Sequence, residues 1–138
     1  MKKIILAVIA IMLSGLCFSN TKVTLEIIGS KANGTNLYIS VFNSETSYKE
    51  RSFYYSTKVS AEDNITYVEI DLPAGEYLFS IFQDINKNMK CDSNLIGIPK
   101  EPVGITNYDG KGAPGNFNKH KVNIGTESKK ISIKLHKL

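Results

Sequence analysis

Cysteine and histidine are scarce in this chain, strong charge of either sign is missing, and no apolar run is long enough to cross a bilayer. The 138 residues include 2 cysteines, Cys17 and Cys91, and 2 histidines, His120 and His136. The main apolar stretch, "IILAVIAIML" from Ile4 to Leu13, falls short of the roughly 20 residues a spanning helix needs. Lys2 and Lys3 precede it and small residues follow, so residues 1–19 are expected to be a secretory signal peptide cleaved after Ser19. Leu16 stands before Cys17 where lipid-attachment signals take a small residue, so the exported protein is expected to carry no lipid. Cleavage would leave Cys91 as the one cysteine, which excludes an intrachain disulfide in an oxidising compartment.

Lys and Arg number 17 against 13 Asp and Glu, and loss of Lys2 and Lys3 lowers the excess to 2. That balance, with the lysines scattered, gives no footprint for a nucleic-acid partner. Neither histidine lies near a G-x-S-x-G or Cys-His nucleophile motif, so both are expected to be ordinary strand residues. Repeats and linkers are also missing. Residues 20–138 are therefore expected to form a single monomeric domain with one core.

What the chain does have is period-two alternation. "KVTLEII", "NLYISVF" and "ITYVEIDL" each place apolar residues at every second position, the pattern of half-buried strands. "EYLFSIF" is apolar on both faces, with Tyr77, Phe79 and Ile81 on one and Leu78 and Phe82 on the other, so it belongs in the centre of a sheet. "HKVNIGTESKKISIKLHK" adds two strands, and "SFYYSTKVS" is a weaker candidate. About seven short strands without a convincing helix predict an all-β protein, an antiparallel β-sandwich of immunoglobulin-like or transthyretin-like type. The turn "DLPAGEY", in which Pro73 cannot donate to a ladder and Gly75 can take positive φ, weakly resembles that of transthyretin-like and carboxypeptidase-regulatory-like sandwiches.

The segment "DINKNMKCDSN" follows the central strand with oxygen-bearing side chains at nearly every second position. Asp84, Asn86, Asn88, Lys90 and Asp92 occupy positions 1, 3, 5, 7 and 9 of a calcium-loop spacing, in which position 7 contributes its main-chain carbonyl. An all-oxygen donor set suits calcium, which takes six to eight oxygens, over zinc or copper. Two elements of an EF-hand are lacking: Met89 stands at position 6 in place of glycine, and Leu95 at position 12 in place of a bidentate glutamate. Glu101 is the nearest acid able to replace the missing one. The competing reading is an Asx-rich turn whose side chains bond their own backbone. Cys91, at position 8, is expected to face the core as a small hydrophobe. Residues 92–119 read as one long ordered loop anchored by Leu95, Ile96, Ile98, Ile105 and Phe117, with Asn107, Tyr108 and Asp109 as turn residues.

From "LPAGEYLFSIFQDINKNMKCDSNLIGIPKEPVGITN" through "GAPGNFNKHKVNI" the chain resembles the secreted bacterial family DUF2141. The resemblance rests on Asp84, Asn86, Asn88, Asp92, Gly97, Ile98, Pro99, Lys100, Glu101, Gly104, Asn107, Pro114 and Phe117. It implies export and a β-sandwich and brings no established activity. Together these readings predict an exported binding or structural module with a calcium loop, acting on a protein or glycan ligand at the envelope or outside the cell. The alternative is a small secreted hydrolase using Asp84 and Glu101 as a carboxylate pair.

Overall fold

The computed structural model describes residues 19–138, and nearly all of the expected signal peptide, Cys17 included, lies outside them. Eight strands form two sheets. In the smaller, β1 (Thr21–Ser30) lies between β4 (Asn64–Leu72) and β8 (Lys129–Lys134). In the larger, the order is β3 (Tyr55–Ser60), β2 (Asn36–Phe42), β5 (Gly75–Asp84) and β6 (Val103–Ile105), with β7 (Val122–Ile124) paired to another part of β5. This is the all-β sandwich that the alternation predicts.

The inward sets are those of the alternation: Val23, Leu25 and Ile27 from β1, Leu37, Ile39 and Val41 from β2, Val68, Ile70 and Leu72 from β4, and Tyr77, Phe79 and Ile81 from β5. All are buried, and a shift of one residue in register would turn each set to solvent. The double-sided apolar character of β5 is used on both faces. Leu78, on its far side, forms a second cluster with Phe42, Ile105 and Phe117.

Three features depart from the sequence reading. First, β8 runs parallel to β1, from Val23 opposite Lys129 to Ile28 opposite Lys134, because the chain leaves β7 in one sheet and crosses over to enter the other. Second, two short helices are present, α1 (Glu45–Glu50) and α2 (Phe117–His120). Ser44 and Ser47 cap the first reciprocally, and the Asn116 side chain caps the second by accepting from Lys119 N–H. Glu45 Oε2 accepts from Phe117 N–H at 2.8 Å, tying the two helices together over the second cluster. Third, residues 92–119 are not one loop, since β6 and the start of α2 interrupt them. Of the five expected anchors, Ile105 and Phe117 are buried, whereas Leu95, Ile96 and Ile98 are exposed.

The parallel pairing creates a polar junction on the outer face of the smaller sheet. Glu26 of β1 stands opposite Tyr67 of β4 and Ser132 of β8. Its carboxylate accepts from Ser132 Oγ at 2.5 Å and Tyr67 OH at 3.0 Å and pairs with Lys130 Nζ at 2.8 Å. These partners, Lys130 foremost, hold its pKa down at about 2, against an ordinary 4.5. A depressed carboxylate contributes stability that is complete above its unfolded pKa and is lost as pH falls through its folded one. Stability should therefore decline between about pH 4.5 and 2, and Glu26→Gln should flatten that part of the profile, as acid-titrated chemical denaturation would show.

Candidate functional site

Where β5 ends, its inner face changes from apolar to polar. Gln83 continues the inward series of Tyr77, Phe79 and Ile81 and is fully buried. Its amide donates to Lys31 O at 2.8 Å and Thr35 Oγ1 at 2.7 Å and accepts from Lys31 N–H at 3.2 Å, which fastens the β1–β2 turn to the root of the acidic loop. The sequence reading overlooked this residue, although a polar side chain in an inward-facing series is itself a signal that a buried partner exists.

Asp84 follows, also buried. Its two oxygens accept from Asn88 N–H at 3.1 Å and Met89 N–H at 2.9 Å, so the first residue of the loop folds the next five around itself. Asn86 Oδ1 accepts from Asn88 N–H at 3.2 Å, and Asn88 Oδ1 from Lys90 N–H at 2.9 Å. The amide groups of Asn86 and Asn88 both reach Asp92 Oδ2, at 2.7 and 2.6 Å. Those two donors, Asn86 foremost, lower the pKa of Asp92, with Lys100 and Lys90 assisting. The main chain of Asp92 closes the ring by donating to Glu101 Oε2 at 3.2 Å.

All six expected site residues thus belong to one connected network. The loop also makes the side-chain-to-backbone bonds of an Asx-rich turn, so both readings of the segment describe parts of it. Among the described residues no three His, Cys, Asp or Glu side chains come together in a metal-holding group, so a cation here would draw on the asparagine and main-chain oxygens as well.

One sequence departure has a geometric counterpart. Met89, in the position of the calcium-loop glycine, has φ 63°, the left-handed conformation that glycine supplies without strain. Met89→Gly should leave the loop intact and raise stability by about 1 kcal/mol through relief of that strain. A urea unfolding midpoint that shifts upward at unchanged slope checks this. Beyond the loop the chain returns beside β5: Phe82 stands opposite Val103, and Gln83 N–H donates to Pro102 O at 3.0 Å. Asp84 and Glu101 lie just beyond these paired residues, at the end of β5 and before the start of β6.

The expectation for Cys91 is corrected. No helix follows this loop to supply a core for its eighth position, and Cys91 is exposed. Partial cover of the thiol, then Glu101, push its pKa up, which opposes formation of a reactive thiolate. The expectation for the histidines also fails. His120 is fully buried in α2 rather than in a strand, and His136 lies beyond β8, its main chain bridged to Val103. The Tyr108 ring packs edge-on against both imidazoles, with 5.8 Å between centroids in each pair.

A two-sheet domain bearing an Asx-rich acidic loop at the end of its central strand is the class that fold and site define. The chain belongs to the family described as "Uncharacterized protein conserved in bacteria (DUF2141)", whose family model matches residues 25–132 and so includes the whole loop. No curated protein and no solved structure matched the chain, so the likeness to transthyretin-like sandwiches gains no support.

Proposed function

We propose that this protein is an exported β-sandwich module that takes up calcium in its acidic loop and serves as a binding or structural unit at the cell envelope or beyond it. The observation that carries the reading is Glu101. Its side chain is 4% exposed, one oxygen accepts from Asp92 N–H, and the other, Oε1, is buried without a hydrogen-bond partner. Asp84 is 3% exposed, and among the described residues neither acid has a Lys or Arg ion-pair partner. A buried carboxylate oxygen that no donor meets is costly unless a cation compensates. The donor set fits a hard cation: Asp84, Asn86, Asn88, the Lys90 main-chain carbonyl, Asp92 and Glu101 offer oxygen alone.

Export is supported by Lys2, Lys3 and the apolar run after them, and among the described residues no helix is long and apolar enough to cross a membrane. The near-neutral charge supports a protein or glycan ligand over nucleic acid, with the domain acting as a monomer. The hydrolase reading has less behind it. Its two carboxylates are buried and accept main-chain N–H bonds, and a depression of ≈ 340 Å³ on the larger sheet, lined by residues including Tyr38, Phe53, Phe82 and Met89, contains no acid or histidine.

Thermal unfolding in millimolar calcium against chelator tests the proposal. With two or three carboxylates the affinity should lie near 10⁻⁴ to 10⁻³ M, about the extracellular range. At a hundredfold excess over the dissociation constant the native state gains about 2.7 kcal/mol, and magnesium should give less because it demands a tighter octahedron. Identical melting in calcium and in chelator would overturn the reading.

A further inference from the structure

Beyond the acidic loop the chain makes a small hairpin whose apolar side chains point away from the protein. Ser93 bridges to Pro99, and Lys100 N–H donates to Asp92 O at 2.8 Å, so the base of this hairpin is also the rim of the loop. At its end Leu95 is 106% exposed, Ile96 80% and Ile98 38%. Leu95 is thus as accessible as in an extended peptide, which describes a projection and not the wall of a groove. We infer that residues 94–98 form an insertion tip that docks this domain on a bilayer carrying anionic headgroups.

Three observations carry this assignment. Large aliphatic side chains held in water gain by transfer to an apolar phase, and Leu95 and Ile96 are adjacent, with the partly covered Ile98 two residues on. Most N–H groups of the tip are paired within it, which lowers the cost of insertion where no water is available to pair them. Asn94 N–H donates to Ile98 O at 2.8 Å, and Gly97 N–H to Asn94 O at 3.0 Å. The Asn94 side chain accepts from Ile96 N–H and Ile98 N–H, both at 3.0 Å. Four of the five N–H groups are therefore paired inside the tip, and that of Leu95 is not.

The third observation is charge. Across residues 85–100, Lys87, Lys90 and Lys100 are all exposed, and Asp92, the one acid, is held by two asparagine amides. Exposed lysines on both sides of an apolar point in the chain complement a layer of anionic headgroups above an acyl phase. A proteinaceous acceptor would need a deep apolar pocket with an acidic rim, whereas a bilayer offers both features everywhere on its surface.

Flotation of the mature protein with phosphatidylglycerol–phosphatidylethanolamine vesicles, and with phosphatidylcholine vesicles as the neutral comparison, tests the tip. Wild type should float with the anionic vesicles and scarcely with the neutral ones. The double variant Leu95→Ser, Ile96→Ser should bind about a hundredfold more weakly or worse, from loss of two buried aliphatic side chains. Lys87→Gln with Lys100→Gln should weaken binding by about tenfold or more. All four positions are exposed, so both variants should melt as wild type does. Equal flotation of wild type and the Leu95, Ile96 variant would overturn the assignment, as would no flotation at all. A wild-type dimer that the same variant converts to monomer, without vesicle binding, would reassign the tip to a second copy of this chain. The assignment does not depend on the cation: flotation that persists in chelator supports the tip even where the calcium reading fails.

Discussion

Alanine in place of Asp84 should cost the domain about 2–4 kcal/mol in chelator and, in addition, abolish any rise in stability that calcium gives the wild type. The first effect follows from hydrogen bonds. Removal of the carboxylate leaves Met89 N–H without its acceptor and Asn88 N–H with Asn86 Oδ1 alone, a lost bond being worth about 1–3 kcal/mol when buried and less where water can reach. It also releases a turn that holds Lys87 and Met89 at positive φ. The second effect follows from the loss of the charged first ligand. Glu101 separates the two. Its Oε1 has no donor, so Glu101→Gln should be close to neutral in chelator, where removal of a buried charge offsets the weaker acceptor for Asp92 N–H. In calcium the same variant should lose the stabilisation that wild type gains. Calorimetry of three proteins in two buffers reads both effects, and a Glu101→Gln protein that still responds fully to calcium would remove Glu101 from the ligand set.

The contrast between these carboxylates shows how far the sequence could be read. Asp84, Asn86, Asn88 and Asp92 were legible from spacing because a loop that turns this tightly brings alternate side chains together, whether the atom they surround is a metal or a backbone nitrogen. Glu101 was legible only as the nearest acid. Its place in the network is set by the return of the chain beside β5 into β6, a pairing too short for any alternation to announce. The three-residue β6 and four-residue α2 lie below the length at which periodicity is a signal.

Other misreadings share one cause, the assumption that an apolar residue is a buried one. Alternation placed Val23, Phe79 and Ile133 correctly because a strand has a second face that must pack. Leu95 and Ile96 sit in a tip with no second face, so the same inference failed there. Cys91 failed through a borrowed template, since its loop position faces a core only where a helix follows. The parallel entry of β8 beside β1 is a long-range property that "KKISIKL" shares with any edge strand.

His120→Ala should destabilise the domain by about 3 kcal/mol, and its effect should concentrate on the segment between β6 and α2. The imidazole has no accessible surface and is held at both nitrogens. Nε2 accepts from Gly115 N–H at 2.9 Å, which leaves Nδ1 as the donor to Asn107 O at 3.2 Å. One ring therefore ties the turn after β6 to the residue before the Asn116 cap of α2, and the Tyr108 ring packs edge-on against it. Truncation adds the cavity left by a buried ring to the cost of two unpaired main-chain groups. For a domain of this size each kilocalorie lowers the melting temperature by about 4 °C, so the variant should melt about 12 °C below wild type. Hydrogen exchange localises the effect. Protection should fall most at Gly115 and Phe117, whose N–H groups bond His120 and Glu45, while β1 and β5 keep amides protected in proportion to the remaining global stability. Equal loss everywhere, with no excess at those two amides, would mean that His120 supports the core by volume alone and that its two hydrogen bonds do not hold the segment.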